Sequence, residues 1–558
     1  MHFCYSQHSF LFFGSYIIPS QAGVQQGDPL GPFLFCLVLQ VLVNKVRTCV
    51  PNLSLNNWYM DDGSLFGKVE DVLKAWAIMI IRYEGPNLGL FVNLSKCELI
   101  SSSQADACFE NFEPELIRIW NGDMTILGSA IGSKQHCENW ISQKLDSKMS
   151  LLINKLENLG HSQSSFLLLL YCASFCKMVW YIRTIPSFLI SQSCERFDAR
   201  IMNCFENLLG SGLSKQSYMQ ASLGTKNGGV GLRSSKSHSA AAYISSFFKS
   251  KPLVQTFLAK SVVNPHMHIL FESFNSLVSA DDHLNSSSCP TSQKCLSNLI
   301  DTHSLNLLVK DVSILDKARL VSCSMPHANA WIRALPAFRN KFSCLEWSTC
   351  MKRWLGVPIF NQDHLCAACQ SQVMDTFGHH ACVCPVKGDR IKRHNIIRDI
   401  LFEFCSAAAW GPVKEKLFLF PGSSERPADI FIPNYSGGKN LFVDVAVTCP
   451  VQHKYVVDAA QTLGYSCNDY ADEVKSKNFE ARVHEEGALY LPAVFESFGG
   501  FSRDLPIFFS KLINSVSLRY DDLRCITSKH LYESLSCALM KSIARSITSR
   551  FPEYFHSV

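Results

Sequence analysis

Three cysteines and one histidine, close together in the second half of this 558-residue chain, constrain its fold more than any other feature. They follow the pattern Cys-x2-Cys-x10-His-x3-Cys and are Cys366, Cys369, His380 and Cys384. Four such side chains can surround one zinc ion as a tetrahedron. His379 and Cys382 are rival ligands, so the identity of the last two ligands stays open. Because protein fills all four positions, we predict a structural zinc site and not a catalytic one.

The composition predicts a globular, multidomain protein. Hydrophobic residues make up 47% of the chain and charged residues 18%, enough apolar content for several cores. The net charge of +5 is a weak indication of a polyanionic partner. The first residues lack the basic region of a signal peptide, so we expect a reducing intracellular compartment despite 24 cysteines. No uninterrupted apolar run reaches about 18 residues, and we therefore expect no membrane partner.

A second constraint lies near the amino end, in the stretch Trp-Tyr-Met-Asp-Asp-Gly at residues 58–63. Two adjacent carboxylates on a tight turn repel each other, so a divalent cation or a basic neighbour is expected beside them. The block Gly-Val-Gln-Gln-Gly-Asp-Pro-Leu-Gly-Pro precedes this stretch at residues 23–32. At this spacing the two segments resemble the palm of a non-LTR retrotransposon reverse transcriptase, an RNA-directed DNA polymerase.

The resemblance implies roles for several residues. Asp61 and Asp62 would hold the catalytic Mg²⁺ ions. The residues that handle template and primer would be Gln25, Gln26 and Gly27. Lys96, in Val-Asn-Leu-Ser-Lys, would lie near the nucleotide phosphates, although a solvated strand-end lysine is the alternative. Residues 1–27 contain no Asp or Glu, so we expect a further catalytic aspartate and the fingers to lie outside this sequence, and we expect no polymerase activity from this chain.

A third feature is a pair of apolar runs at residues 429–433 and 441–448, separated by a Gly/Asn-rich turn, which predicts a β-hairpin. If the turn centres on Ser436 and Gly437, Asp429 and Asp444 face each other across the hairpin. Directly opposed residues are about 5 Å apart, so the two carboxylates can share one Mg²⁺ ion.

Asp429 and Asp444 resemble the first part of the PD-(D/E)xK nuclease pattern. The usual lysine two residues after the second acid is absent, because Ala446 stands there. In restriction-enzyme-like endonucleases of retrotransposons, the lysine lies on a later helix as Lys-x-x-Lys-Tyr. Residues 475–479 match that stretch with Asn-Phe in place of Lys-Tyr, so either Lys475 or Lys477 would orient the attacking water. Glu496 is a candidate auxiliary ligand.

A basic segment at residues 387–398 follows the cysteine cluster and predicts a helix that ends near Ala408. A zinc knuckle followed by Arg-His-Asn resembles the linker of the same retrotransposon class, which helps to hold the DNA target. Arg393 and His394 would then bind nucleic acid. The alternative is a solvated basic helix end.

We therefore expect an α+β multidomain fold with a partial reverse-transcriptase palm, an α-helical thumb and connector, a CCHC zinc knuckle and an α/β restriction-like nuclease core. The predicted domains are the palm at 1–135, thumb-like helices at 136–270, a connector at 271–360 with a loop at 275–300, the knuckle and basic helix at 361–400, the endonuclease at 401–520 and a C-terminal helix at 521–558. Relatives nick target DNA and copy their own RNA, which implies DNA and RNA as partners and action in the nucleus. The alternative is a catalytically degenerate nucleic-acid-binding protein.

Overall fold

The computed structural model is a mixed α+β chain with several small sheets. It divides into two compact units, Met1–His136 and Cys137–Val558. All of the predicted domain assignments stay predictions. The structure describes residues 9–20, 27–80, 84–101, 110–257, 262–285, 290–420, 423 and 425–551.

Short strand pairs and helices form the first unit. Three pairs are antiparallel hairpins: β1 (Ser9–Phe13) with β2 (Tyr16–Ser20), β3 (Leu55–Tyr59) with β4 (Asp62–Phe66), and β7 (Met124–Ile126) with β8 (Ser129–Ile131). The pair β5 (Glu98–Ile100) and β6 (Ile117–Ile119) is parallel. The helices are Gly31–Cys49, Val69–Ile80 and Glu84–Asn87.

The apolar run at residues 33–45 is too long for a typical strand and predicts a buried helix, and the structure has a helix there, Gly31–Cys49. It buries Leu39, Leu42, Val43 and Val46, a spacing of three and four residues that places them on one face. That face packs with the Val69–Ile80 helix in one apolar cluster. Apolar spacing predicts a second helix from Val69 to Glu84; the structure describes it over Val69–Ile80, residues 81–83 lie outside the described residues, and Glu84–Asn87 is a short helix with Pro86 in its first turn, where proline is tolerated.

Two helical stretches, Gly31–Cys49 and Ser162–Thr184, are long and apolar enough to cross a membrane by length and composition alone. The buried share of their apolar windows is 22% and 50%. The core helix of a soluble protein passes the same test, so this finding is weak evidence, and the absence of a membrane partner stays a prediction.

The second unit is mostly helical up to residue 355. Its α-helices there are Lys134–Glu157 (which begins in the first unit), Ser162–Leu168, Val179–Thr184, Ser191–Leu209, Lys215–Ser222, Ser235–Phe257, Met267–Asn275, Gln293–Lys310, Ile314–Cys323 and Cys344–Leu355. The predicted loop at 275–300 is wrong in its last part, because Gln293–Lys310 is a helix. Leu296 and Ile300, four residues apart, are buried in an apolar cluster, and this packing overrides the polar composition around them.

A four-stranded mixed sheet organises the carboxy-terminal part. Its order is β11 (Val413–Lys414), β12 (Ile430–Ser436), β13 (Lys439–Thr448) and β14 (Leu489–Glu496), with β12 antiparallel and β14 parallel to β13. The helix Asp389–Ala407 precedes the sheet, and the helices Val456–Ala459, Tyr465–Tyr470 and Lys477–Glu485 connect β13 to β14. The helices Leu505–Tyr520 and Arg524–Thr548 follow, and the hairpin β9 (His364–Leu365) with β10 (Val373–Met374) lies upstream.

The turn of the β12–β13 hairpin is one residue later than predicted. Gly437 and Gly438 form it, with φ of +58° and +79°. Such a pair of left-handed residues is the two-residue turn that matches the twist of a hairpin. A register shift between Ile432 and Ser436 then compensates, so that Ile430 lies opposite Val443. Asp429 precedes Ile430 and Asp444 follows Val443, so Asp429 and Asp444 form the next pair of the register and face each other. The sequence predicted this pairing, although it placed the turn one residue too early.

Candidate functional site

The predicted cysteine and histidine ligands come together. One ligand atom from each of Cys366, Cys369, His380 and Cys384 lies within 4.8 Å of all the others, so the group can hold a metal ion. The turn between β9 and β10 carries the first two, and Cys369 Sγ lies 3.3 Å from His380 Nε2. The Ser371 hydroxyl, together with backbone amides and His380, lowers the pKa of the Cys369 thiol to about 5. This favours the thiolate, the form that binds metals.

The two rival ligands have other partners. His379 Nδ1 lies 2.7 Å from Asp375 Oδ2. The Cys382 thiol interacts with the thiol of Cys449, the residue that follows β13. Neither rival belongs to the group of four. The structure therefore favours His380 and Cys384 as the later two ligands.

Arg393 does not lie on a nucleic-acid-binding surface. Its side chain is buried, with the residue 2% exposed, and its Nη1 donates a hydrogen bond to the Cys382 carbonyl at 3.1 Å. The side chain that was predicted to contact DNA instead links the helix Asp389–Ala407 to the 3-10 turn His379–Cys382, which contains the ligand His380. The expectation that Arg393 binds nucleic acid is wrong for this conformation.

Asp444 is buried within β13, and Asp429 is half-buried directly before β12. Asp429 Oδ2 accepts hydrogen bonds from the Val445 amide at 2.6 Å and from His394 Nε2 at 3.0 Å. Burial alone would raise the pKa of Asp429, but these donors and the neighbouring carboxyl lower it. Asp444 is 7% exposed, and burial raises its pKa, with the nearby Asp429 charge acting in the same direction. Two facing carboxylates with opposite pKa shifts mark a functional-site candidate.

Lys475, and not Lys477, reaches the carboxylates. Lys475 lies in a wide helical turn over Ala471–Ser476, and its Nζ donates to Asp444 Oδ1 at 2.7 Å. Lys477 pairs with Glu473, and its side chain is 63% exposed. Residues two apart on a helix point in nearly opposite directions, which explains why one lysine enters the site and the other leaves it.

Two side chains that contact the carboxylates, His394 and Tyr490, were not predicted to do so from the sequence. His394 was expected to contact DNA, but it contacts Asp429. Tyr490, on β14, donates its hydroxyl to Asp444 Oδ2 at 2.8 Å. In the β13–β14 register Asp444 faces Pro492, two residues beyond Tyr490. Alternate residues of a strand share a face. Knowledge of this register would therefore have indicated that the Tyr490 side chain lies on the same side of the sheet as Asp444.

Glu496 is not an auxiliary ligand of this site. It faces Thr448 at the far end of the paired strands, four residues beyond the Asp444 position, or about 13 Å along a strand. Its carboxyl accepts hydrogen bonds from the hydroxyls of Ser466, at 2.8 Å, and Ser322. Burial raises the pKa of Glu496, which is 1% exposed. It is a buried structural acid.

The predicted palm residues that the structure describes are exposed in or beside turns of the first unit. Asp61 and Asp62 are exposed at the tip of the β3–β4 hairpin, where Met60 has φ of +53°. Lys96 is exposed and ends a short 3-10 turn rather than a strand. Gly27 has φ of +95°, while Gln25 and Gln26 lie outside the described residues. Among the residues that the structure describes, no third His, Cys, Asp or Glu ligand joins Asp61 and Asp62.

No protein-family model matches the chain, and no curated protein matches it.

The contact between His394 and Asp429 predicts a pH-dependent contribution to stability. The hydrogen bond to Asp429 raises the pKa of His394 above 6.5. A raised histidine pKa stabilises the fold below the unfolded-state value and loses that contribution as pH rises through the folded-state value. Wild type should therefore exceed His394→Gln in thermal stability more at about pH 5.5 than at about pH 8.5. A difference between the two proteins that does not change with pH would contradict the contact.

Proposed function

We propose that this chain is a non-LTR retrotransposon protein, related to RNA-directed DNA polymerases, whose carboxy-terminal domain is a metal-dependent DNA endonuclease. The observation that carries the endonuclease proposal is the cluster formed by Asp429 and Asp444 at the β12–β13 pair with Lys475, which reaches Asp444 from the helical turn Ala471–Ser476. Such a protein acts on chromosomal DNA and element RNA, which places it in the nucleus.

The residues fit the ions that this function needs. Asp429 and Asp444 offer facing carboxylate oxygens, the hard ligands that Mg²⁺ prefers. When bound, Mg²⁺ polarises a phosphate and favours the ionised form of an attacking water. Lys475, whose Nζ contacts Asp444, would orient that water or balance the charge that develops on the phosphate. Cys366, Cys369, His380 and Cys384 are the soft and borderline donors of a closed zinc site, and their mutual distances suit a tetrahedron.

A catalytically degenerate binding protein is the second candidate. The observation that favours it is the ion pair between Lys475 Nζ and Asp444 Oδ1. An ammonium group that already neutralises Asp444 competes with a cation for the same carboxylate. Under this alternative the chain binds DNA but does not cut it.

Separate replacement of Lys475 and Lys477 by methionine distinguishes the endonuclease from the binding protein. Lys475→Met should reduce nicking of supercoiled plasmid in Mg²⁺ by about 100-fold, the scale of losing one positioned electrostatic group. The matched control is Lys477→Met, which removes an exposed lysine two residues away and should nick like wild type. Electrophoretic separation of nicked and supercoiled DNA measures both. If wild type binds the plasmid but does not nick it, the binding protein is favoured; equal loss in both variants would contradict the role of Lys475.

Polymerase activity is not expected from this chain. Two-metal nucleotide transfer needs several carboxylates around the ions, and Asp61 and Asp62 have no third described ligand. In a primer-extension assay with an RNA template, the chain should incorporate no nucleotides. Incorporation that Asp61→Asn abolishes would overturn this expectation.

A further inference from the structure

The ring of Tyr490 lies in an apolar cluster, and its hydroxyl contacts the proposed nuclease site. Its ring packs against a cluster that contains Phe431, Phe442 and Val483. Only the hydroxyl reaches a charged group, and it donates to Asp444 Oδ2 at 2.8 Å. Tyr490 is half-buried, and the partner that its hydroxyl takes is one of the two carboxylates that face each other across the hairpin.

The donors to Asp444 occupy both of its carboxylate oxygens, whereas the donors to Asp429 share one oxygen. Lys475 holds Oδ1 of Asp444 and Tyr490 holds Oδ2. Across the hairpin, the Val445 amide and His394 hold Oδ2 of Asp429. Lys475 brings a positive charge, which competes with a cation, whereas the phenol of Tyr490 is neutral. Tyr490 therefore fixes the plane of the Asp444 carboxylate without cancelling its charge.

We propose that Tyr490 is a positioning residue of this site: its hydroxyl holds the Asp444 carboxylate in the orientation that takes up a divalent cation. The inference rests on the proposed function and names a residue that the sequence patterns did not include. Partners that orient a metal ligand in this way typically contribute about 10- to 100-fold to metal affinity or activity.

A purely structural role for Tyr490 makes a different prediction. Tyr490→Phe removes one oxygen and keeps the ring in its apolar cluster. If the hydroxyl only satisfied a buried donor, the variant would unfold at a different temperature but bind Mg²⁺ as wild type does. If it positions Asp444, Mg²⁺ affinity falls even in the folded variant.

The test is calorimetric titration of Mg²⁺ into the full chain at a temperature where all variants are folded. Asp444→Asn defines the binding that belongs to this site. Tyr490→Phe should weaken that binding by about 10-fold. The matched control is Tyr435→Phe in β12, whose ring packs against Trp410 and Phe508 and should leave the affinity unchanged. Tyr490→His, which keeps a ring N–H donor, should give an intermediate affinity and serves if Tyr490→Phe does not fold.

The outcomes separate this inference from the proposed function. Equal Mg²⁺ affinity in wild type and Tyr490→Phe would overturn the positioning role. Equal Mg²⁺ binding by wild type and Asp444→Asn would overturn it as well. If Mg²⁺ binding depends on Tyr490 but wild type does not nick DNA, the endonuclease proposal fails while the positioning role stands.

Discussion

Asp444→Asn should lower plasmid nicking by about 1,000-fold, because loss of a metal-bound carboxylate removes several kcal/mol of transition-state stabilisation, and each 1.36 kcal/mol is a factor of ten. The substitution keeps the shape of the side chain while it removes the charge that burial makes costly. Conversion of supercoiled to nicked plasmid in Mg²⁺ measures the effect.

The folded state needs its own measurement in this experiment. Asp444 is buried beside Lys475 and Tyr490, so its neutral replacement relieves the cost of a buried charge and also weakens an ion pair. Thermal unfolding of Asp444→Asn should stay close to that of wild type. The comparison variant is Glu473→Gln, whose partner is the exposed Lys477 and which should nick normally. Nicking by Asp444→Asn at the wild-type rate would contradict the assignment of this carboxylate.

Loss of the cysteine and histidine site should produce the largest change in stability. Structural zinc contributes about 10–16 kcal/mol to the folding of small zinc domains. Cys366→Ser should therefore abolish zinc binding and lower the melting temperature of the carboxy-terminal unit by on the order of 10 °C or more. Zinc content by atomic emission and thermal unfolding measure the two effects, and a chelator should reproduce the second in wild type.

The rival ligands provide the controls for this prediction. His379→Gln and Cys382→Ala should each keep one zinc ion per chain, because His379 pairs with Asp375 and Cys382 contacts Cys449. Cys384→Ser should behave like Cys366→Ser. Loss of zinc from Cys382→Ala with retention in Cys384→Ser would show that the ligand set has been assigned to the wrong cysteine.

Features that depend on residues close together in the sequence were predicted from short sequence patterns. The ligands at 366 and 369 sit on one tight turn, and Asp61 and Asp62 sit at a hairpin tip, because turn chemistry and short spacing specify both. The helix Gly31–Cys49 was predicted over residues 33–45 because the apolar run there is too long for a strand. These features depend on residues only a few positions apart.

Contacts between distant segments were not predictable in the same way. Whether Arg393 faces solvent or the Cys382 carbonyl depends on how a helix docks, which its own charge pattern does not reveal. Tyr490 and Asp444 are 46 residues apart, and only the parallel register of β13 and β14 brings them together. The predicted turn of the β12–β13 hairpin was one residue too early, because hydrophobic patterning does not reveal a β-bulge. Asp429 and Asp444 still face each other, because the register shift between Ile432 and Ser436 compensates for that error.

Adjacent residues of one helix serve two polar centres at once. Arg393 anchors the helix Asp389–Ala407 to the Cys382 carbonyl, and the next residue, His394, meets Asp429. Neighbouring helical positions differ by about 100° around the axis, so the two directions are fixed relative to each other. A deletion of one residue between Cys384 and Arg393 would rotate both side chains together and separate each from its partner. The length of this short segment is therefore as constrained as the identity of the side chains that it carries.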